Sequence, residues 1–181
     1  MSDSAHAPEL AWLFETIDGI VDGSPLVWGR AGDDDVDLAA GDVPVRRVDR
    51  TESAIYDQPS LRSRRGDLQA SCFVGAALEE RPTSPAGTTE YRSEAIVTVR
   101  IEALHASEWG FIDPTGEDGI AFEELYEPVR ETLRDARAYP DVDRTATAYQ
   151  TAILENETDR SSDYRDFYDY RFDLRFRGYE D

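Results

Sequence analysis

The chain has 181 residues and a formal net charge of −20, which arises from 39 acidic and 19 basic side chains. All 19 basic residues are arginine, because the sequence contains no lysine. This balance argues against a protein that holds nucleic acid by simple electrostatic attraction, and the 40% hydrophobic content argues against a disordered acidic chain. The excess of negative charge makes the chain repel itself, and salt at 1 M screens this repulsion within roughly 3 Å. The composition is therefore typical of a protein adapted to a salt-rich cytoplasm.

The length predicts one domain with an ordinary hydrophobic core, which we place at residues 8–181 after a disordered lead at 1–7. The sequence has no signal peptide and no apolar run near transmembrane length. We therefore expect a soluble protein that is made inside the cell and has no membrane partner. The single cysteine, Cys72, excludes an intramolecular disulfide.

The first elements are a helix and a polar insert. From Pro8 to about Asp22, apolar residues recur at helical spacing and predict a short amphipathic helix. In the insert, at about 24–42, the run D-D-D-V-D from Asp33 places carboxylates at alternate positions, as calcium loops do. The glycine and the distal glutamate that such a loop needs are not in the required places, so we interpret the insert as a solvated loop.

A strand is predicted at 43–48, in which Pro44 indicates a sheet edge or a strand end. An arginine-rich loop, at about 46–65, overlaps the end of this strand. Six of the 19 arginines lie in this loop, against a strongly acidic background. In one interpretation they pair with carboxylates of the same molecule. In the other they form a contact surface for an acidic partner, such as another copy of the protein. The sequence leaves both interpretations open.

The middle of the chain predicts a hairpin and a second helix. Strands at 70–80, with Gly75 at a bulge, and at 91–104 flank a turn with two prolines and predict an antiparallel hairpin. A helix is then expected from about Gly119 to Ala138. Pro128 should kink this helix or mark its true beginning.

Two strands end the chain. In the first, at 145–155, Tyr149, Thr151 and Ile153 are predicted to share one side. The last strand, at about 167–179, alternates strictly between apolar and charged residues, which indicates one buried and one wet face. Its apolar face consists of Tyr168, Tyr170, Phe172, Leu174 and Phe176. Its arginines, which alternate with aspartates, suit either ion pairing across the sheet or contact with a neighbouring subunit.

The order of the elements is α-β-β-β-α-β-β. This order predicts an α+β domain with a mainly antiparallel sheet of four to five strands and two helices packed on one face. We expect the last strand to pair with the strand at 145–155 and to form the floor under the second helix.

The sequence shows no catalytic, cofactor or metal motif. Its two histidines, His6 and His105, are far apart, so a zinc site is not expected. A nucleophile–base pair would have to combine Cys72 with His105, and neither has a recognisable context. A phosphate-binding loop of the Walker type needs a lysine. We therefore expect a protein that is not an enzyme and needs no cofactor.

Three segments carry a resemblance to a known family: V-T-V-R-I-E-A at 97–103, F-E-E-L-Y-E-P-V-R-E-T-L at 122–133, and Y-R-F-D-L-R-F-R at 170–177. In this order of elements the chain, from about Val43 to its end, resembles the tail terminator (tail completion) proteins of long-tailed viruses. Together with the acidic, lysine-free composition, the resemblance implies a virus of a halophilic archaeon. The insert at 24–42 and the arginine-rich loop depart from the family, so no interface position is transferred from it.

The resemblance implies a virion protein of the neck. In that family the domain forms a ring, typically of six copies, which caps the finished tail tube and presents a surface to the head. The implied partners are further copies of the chain, the tail tube protein and head-side neck proteins, with DNA only as cargo that passes through the ring. The alternatives are another neck component, such as a head-closure or adaptor protein, and a halophilic cytoplasmic enzyme or binding domain.

A ring interface joins two different patches of the same chain, and the acidic insert and the arginine-rich loop offer complementary charge. In molar salt, apolar anchors must supply most of the binding energy. The candidate subunit-interface residues are Trp28, Arg46, Arg47, Arg50, Tyr56, Leu61, Arg62, Arg64, Arg65, Trp109, Arg171 and Arg175.

Overall fold

A computed structural model describes residues 7–20, 26–30, 42–49, 72–108, 110–136, 147–163 and 165–180. Within these residues lie two α-helices and one sheet of seven strands. The helices are α1 (Pro8–Asp18) and α2 (Phe122–Asp135). The strands are β1 (Leu26–Arg30), β2 (Val43–Asp49), β3 (Cys72–Glu80), β4 (Thr83–Pro85), β5 (Tyr91–Leu104), β6 (Thr147–Asp159) and β7 (Phe167–Glu180).

The sheet has the order β1-β2-β3-β5-β7-β6, and β4 pairs with one end of β5. The predicted α+β class with a mainly antiparallel sheet is confirmed, since the pairs β3–β5, β4–β5, β5–β7 and β6–β7 are antiparallel. The pairs β1–β2 and β2–β3 are parallel, which the sequence did not predict. The described strands also exceed the four to five expected.

The two additional strands are short. β1 lies inside the predicted polar insert and has five residues, too few to show a clear period of two. β4 has three residues and lies inside the predicted turn between the hairpin strands. The long hairpin strand was predicted with its observed bounds, Tyr91–Leu104. Gly75 pairs regularly with Arg100, and the irregularity of β3 lies between Leu78 and Glu80 instead.

β7 lies inside the sheet, between β5 and β6, so the last strand is pinned on both sides. Its pairing with the preceding strand is confirmed, although that strand extends to Asp159, beyond the predicted end at residue 155. The pairing with β5 is unbroken over 14 residues, from Tyr91 opposite Glu180 to Leu104 opposite Phe167. These two pairs mark the Tyr91 end and the Leu104 end of the sheet.

Both helices cover the same face of the sheet, as predicted, and we call it the helix face. One buried cluster joins Leu13 of α1 and Leu125 of α2 to the apolar rows of β5 and β7, including Val99 and Phe172. α1 begins at Pro8, whose missing N–H is not needed in a first turn. α2 begins at Phe122 and continues through Pro128, so that proline does not mark the beginning of the helix.

Bulges in β6 change which side chains reach the helix face. The register shifts between Tyr149 and Thr151, so that Tyr149 packs in the core while Ile153 lies opposite Arg175 on the outer face. The prediction that Tyr149, Thr151 and Ile153 share one side was therefore wrong. One extra residue in a strand reverses which side chains face the core, and no glycine in β6 indicates this bulge in the sequence.

A second bulge lies between Glu155 and Thr158, where Asn156 has a φ of 54°. It directs the Asn156 amide to the outer face, where Nδ2 lies 2.6 Å from Oδ2 of Asp173. Glu157, the next residue, bonds to Arg130 of α2 and Tyr170 on the helix face. The bulge therefore ties the edge strand to α2.

Candidate assembly surface

The structure describes some of the predicted interface residues in full, some by their backbone pairing alone, and others not at all. Trp28 lies in β1, and Arg46 and Arg47 lie in β2, where only their backbone pairing is described. Arg171 and Arg175 are described in full on the outer face of β7, opposite the helices. The others, namely Arg50, Tyr56, Leu61, Arg62, Arg64, Arg65 and Trp109, lie outside the described residues.

Arg171 belongs to a charged quartet on the outer face. Arg171 lies opposite Arg100, and Glu102 lies opposite Asp169, so like charges face each other directly across β5 and β7. Contacts along each strand and across the diagonal offset this repulsion. Arg171 bonds to Asp169 with distances of 2.8 and 2.6 Å, Arg100 lies 3.7 Å from Asp169, and Arg100 also pairs with Glu102. Asp169 is only 1% exposed, so Arg171 neutralises a buried carboxylate.

Arg175 also pairs within the sheet. Its Nη1 lies 2.9 Å from Glu94 of β5, and its Nε lies 3.0 Å from Glu155 of β6. These hydrogen bonds raise the pKa of the Arg175 guanidinium above its ordinary value. The arginine therefore ties three neighbouring strands together. The charged face could serve ion pairing across the sheet or contact with a neighbouring subunit, and the ion pairs across the sheet are observed.

At the Tyr91 end, the outer face has a groove of ≈ 370 Å³, which we call the basic groove. Its lining residues are Arg92, Glu94, Gln150, Thr151, Arg177, Gly178 and Tyr179. Glu94 pairs with Arg177 at 3.2 Å, whereas the exposed Arg92 forms no ion pair with any described residue. One guanidinium in the groove therefore has no ion-pair partner in the part of the chain that the structure describes.

Two of the large apolar side chains exposed among the described residues lie on this same face. Tyr179 is 41% exposed in the groove, and Ile153 is 38% exposed on β6. Thr151 and Arg177, which are paired neighbours, lie between them. We call these residues, with Arg92, the assembly patch. Aromatic and arginine side chains are enriched at the centres of protein interfaces.

Arg92, Ile153 and Tyr179 were not predicted from the sequence to lie on an interface. The alternation of the strands contained a signal for two of them. In β7 the outward row from Asp169 to Arg177 is charged, and Tyr179 continues it as an aromatic residue. In β6, Ile153 is an apolar residue between the polar Thr151 and Glu155. A large apolar residue on a wet face favours a contact surface.

Two carboxylate clusters fasten the helices to β6. In the first, Glu9 of α1 is 1% exposed and accepts hydrogen bonds from Arg81, at 3.1 and 2.6 Å, and from the Tyr149 hydroxyl, at 2.7 Å. Burial raises the pKa of Glu9, but the bonds from Arg81 and Tyr149 outweigh burial and hold it below its usual value. Glu9 is therefore a paired structural anion.

In the second cluster, Glu157 of β6 accepts bonds from Arg130 of α2 and from the Tyr170 hydroxyl. The bond from Arg130 and then the bond from Tyr170 lower the pKa of Glu157. Burial, followed by the bond to Glu157, raises the pKa of Tyr170. The ring of Tyr170 stacks on Tyr126 of α2 with centroids 4.2 Å apart. Each charged group in this cluster is paired, which fits a structural tie.

A compact loop precedes α2. The carboxylate of Asp113 accepts hydrogen bonds from the backbone N–H groups of Thr115, Glu117 and Asp118 and from the Thr115 hydroxyl. Gly116 has a φ of 72° there, a conformation that glycine adopts without strain. The bond from Asp118 N–H, followed by those from Thr115, lowers the pKa of Asp113 to about 2.

We expect this loop to depend on the charge of Asp113. Because the folded pKa is lowered, the contribution of Asp113 is present above its unfolded pKa and is lost as the pH falls through about 2. Asp113→Ala should speed the exchange of the Thr115, Glu117 and Asp118 amides in hydrogen-exchange measurements. Glu117→Ala, which keeps the Asp113 carboxylate, is the matched control. Unchanged exchange in Asp113→Ala would contradict this role.

The residues considered for covalent chemistry have ordinary structural roles. Cys72 is fully buried, and burial raises the pKa of its thiol, which keeps it protonated. The His105 ring stacks on Tyr168 with centroids 6.4 Å apart, and its Nδ1 lies 3.0 Å from the Ser107 hydroxyl. The fully buried thiol lacks the exposed, electropositive surroundings that a reactive cysteine needs.

Among the described residues, no three or more histidine, cysteine, aspartate or glutamate side chains are grouped so that they could hold a metal ion. Within the same residues, no helix combines the length and apolar character needed to cross a membrane. No protein-family model matches the chain, and no curated protein matches it in sequence.

Proposed function

We propose that this chain is a non-catalytic structural protein of a virion that acts by forming a ring of its own copies. The ring, of six copies as is typical of the family that the chain resembles, terminates the tail tube of a long-tailed virus and joins it to the head. The host in this proposal is a halophilic archaeon. The partners are the tail tube protein and head-side neck proteins, and DNA passes through the ring as cargo.

The observation that carries the proposal is the assembly patch. It combines an exposed tyrosine, an exposed isoleucine and an arginine without an ion-pair partner among the described residues, all on the outer face of β5, β7 and β6. A protein that functions by assembly needs such a surface on a stable scaffold. Ion pairs that join β5, β6 and β7 contribute to that stability.

The proposal also agrees with the charge pattern. Partly buried, multiply bonded pairs such as Arg171–Asp169 are screened less by salt than isolated surface pairs are. A subunit that is stabilised by such ion pairs can stay folded at high ionic strength. Its contacts with other copies then depend on apolar anchors such as Tyr179 and Ile153.

Assembly can be measured by mass photometry in molar KCl. We expect closed oligomers for the wild-type chain and a shift to monomer, with the dissociation constant raised at least tenfold, when Ile153→Thr and Tyr179→Ser are combined. The matched control is Tyr91→Ser. Tyr91 is 51% exposed at the same end of the sheet but belongs to the helix-face row of β5, so its removal should leave assembly intact.

Electron microscopy of the oligomer separates this function from the alternatives. A tail terminator requires a ring with a central channel wide enough for duplex DNA. A chain that stays monomeric at all concentrations would contradict the proposal, and so would a closed assembly without a channel. Decoration of tail-tube ends by the ring would distinguish a terminator from a head-closure or adaptor protein.

A further inference from the structure

Two charged regions of opposite character lie at opposite ends of the sheet. The basic groove lies at the Tyr91 end. Beyond Leu104, at the other end, the chain forms the Asp113 loop and the first turn of α2. A strand of 14 residues, such as β5 between these ends, spans about 44 Å. The two regions of one molecule therefore cannot meet each other.

We call the second region the acidic corner. It consists of four exposed carboxylates within eight residues, namely Glu117, Asp118, Glu123 and Glu124. None of the four forms an ion pair with a described residue, whereas Glu127 and Glu131, further along α2, pair with Arg130 and Arg134. Partly buried Phe111 and Ile120 lie beside the acidic corner and add apolar surface.

The basic groove offers the complement of this corner. Two of its lining residues are arginines and one is a carboxylate, so it is locally positive on a chain of net charge −20. Glu94 is already shared between Arg175 and Arg177. Arg92 is the groove cation that has no partner among the described residues, and it lies beside the ring of Tyr179, since the two residues are paired across β5 and β7.

We propose that the acidic corner of one copy docks in the basic groove of the next copy, with Glu123 and Glu124 facing Arg92. This inference rests on the proposed function and identifies the contact through which the copies assemble. The occupant of the groove is a second copy, because the same molecule carries both complementary surfaces, one at each end of its sheet. Tyr179 and Ile153 on one side and Phe111 and Ile120 on the other exclude water from the pairs.

The geometry of this contact is head to tail. Two different patches meet, so an open chain of subunits has one free groove at one end and one free corner at the other until it closes. Such an interface generates a ring when the rotation between copies closes, and an open filament when it does not. A two-fold dimer would require the same surface on both copies and is not expected from these residues.

A charge exchange tests the contact in the full chain, by mass photometry in molar KCl. Arg92→Glu alone should raise the apparent dissociation constant about tenfold or more, because like charges then meet. The pair Glu123→Arg and Glu124→Arg should do the same. When all three substitutions are combined, assembly should return toward the wild-type level.

Controls separate this effect from a general change in charge or stability. Glu131→Arg, on the same helix as the acidic corner, should leave assembly unchanged. Arg92→Ser is a milder variant that keeps the test valid if Arg92→Glu fails to fold, as judged by circular dichroism. It should weaken assembly without reversing a charge.

The outcomes distinguish this contact from the function on which it rests. A wild-type chain that never assembles overturns both. A wild-type chain that forms rings, with single-site variants that also form rings, overturns the contact and leaves the proposed function in place. A combined variant that assembles no better than Arg92→Glu also overturns the contact.

Discussion

Phe172→Asp is expected to abolish cooperative folding. Phe172 is 1% exposed, lies opposite Val99 in the middle of the β5–β7 pair, and has its ring 5.9 Å from that of Tyr170. Loss of a buried phenylalanine side chain costs about 3–5 kcal/mol, and a carboxylate without a partner in the same place adds to that cost. A domain typically has about 5–15 kcal/mol of stability, so the variant should be largely unfolded.

The measurement is urea unfolding in molar KCl, followed by circular dichroism. Phe172→Leu keeps an apolar side chain at the same site and should cost less than about 1.5 kcal/mol. Ile153→Asp makes a similar change on the exposed face of β6 and should shift the free energy of unfolding by about 0.5 kcal/mol or less. A wild-type unfolding midpoint in Phe172→Asp would show that β7 is not central to the core.

The long strands could be predicted from the sequence because their alternation is unbroken. From Tyr91 to Leu104, β5 pairs with β7 without a shift of register, and the apolar rows of both strands enter the core together. An alternation of apolar and polar residues over so many positions predicts a strand and excludes a helix. The two helices and their common face followed in the same way, from apolar residues repeated at helical spacing.

The features of the fold that could not be predicted depend on single bulges or on pairing with other strands of the sheet. The bulge after Tyr149 moves that side chain into the core without any glycine or proline to indicate it. β1 has five residues, and its parallel pairing with β2 is set by neighbours along the sheet and not by its own pattern. Arg92 is visible in the sequence as a charged residue, but only the paired strands reveal that none of its described neighbours forms an ion pair with it.

The candidate site shows the same division. The sequence predicted that Arg171 and Arg175 would lie on one charged face of the last strand, and they do. It left open whether they pair internally, because the acids they contact lie up to 81 residues away in the chain. The seven predicted interface residues from Arg50 to Trp109 that lie outside the described residues stay predictions.

Arg81→Ala is expected to destabilise the fold by about 3 kcal/mol near neutral pH. The substitution leaves the carboxylate of Glu9, which is 1% exposed, with only the Tyr149 hydroxyl as a side-chain partner. Removal of one member of a buried ion pair typically costs about 3–5 kcal/mol, because the remaining charge stays desolvated. Arg81 itself is 41% exposed, so the lower end of this range is expected. Arg134→Ala is the matched control, since it removes an exposed arginine paired with exposed Glu131 and should cost less than about 1 kcal/mol.

The pH dependence of Arg81→Ala identifies the cause. In the wild-type chain the folded pKa of Glu9 is lowered, so its contribution is present above the unfolded pKa and is lost as the pH falls. Without Arg81, burial dominates and raises the folded pKa of Glu9, so protonation stabilises the folded variant. The difference in unfolding free energy should therefore be largest near neutral pH and should shrink toward about pH 4. Adding Glu9→Gln to Arg81→Ala should remove this pH dependence, whereas a difference that stays constant with pH would show that Arg81 acts through packing instead.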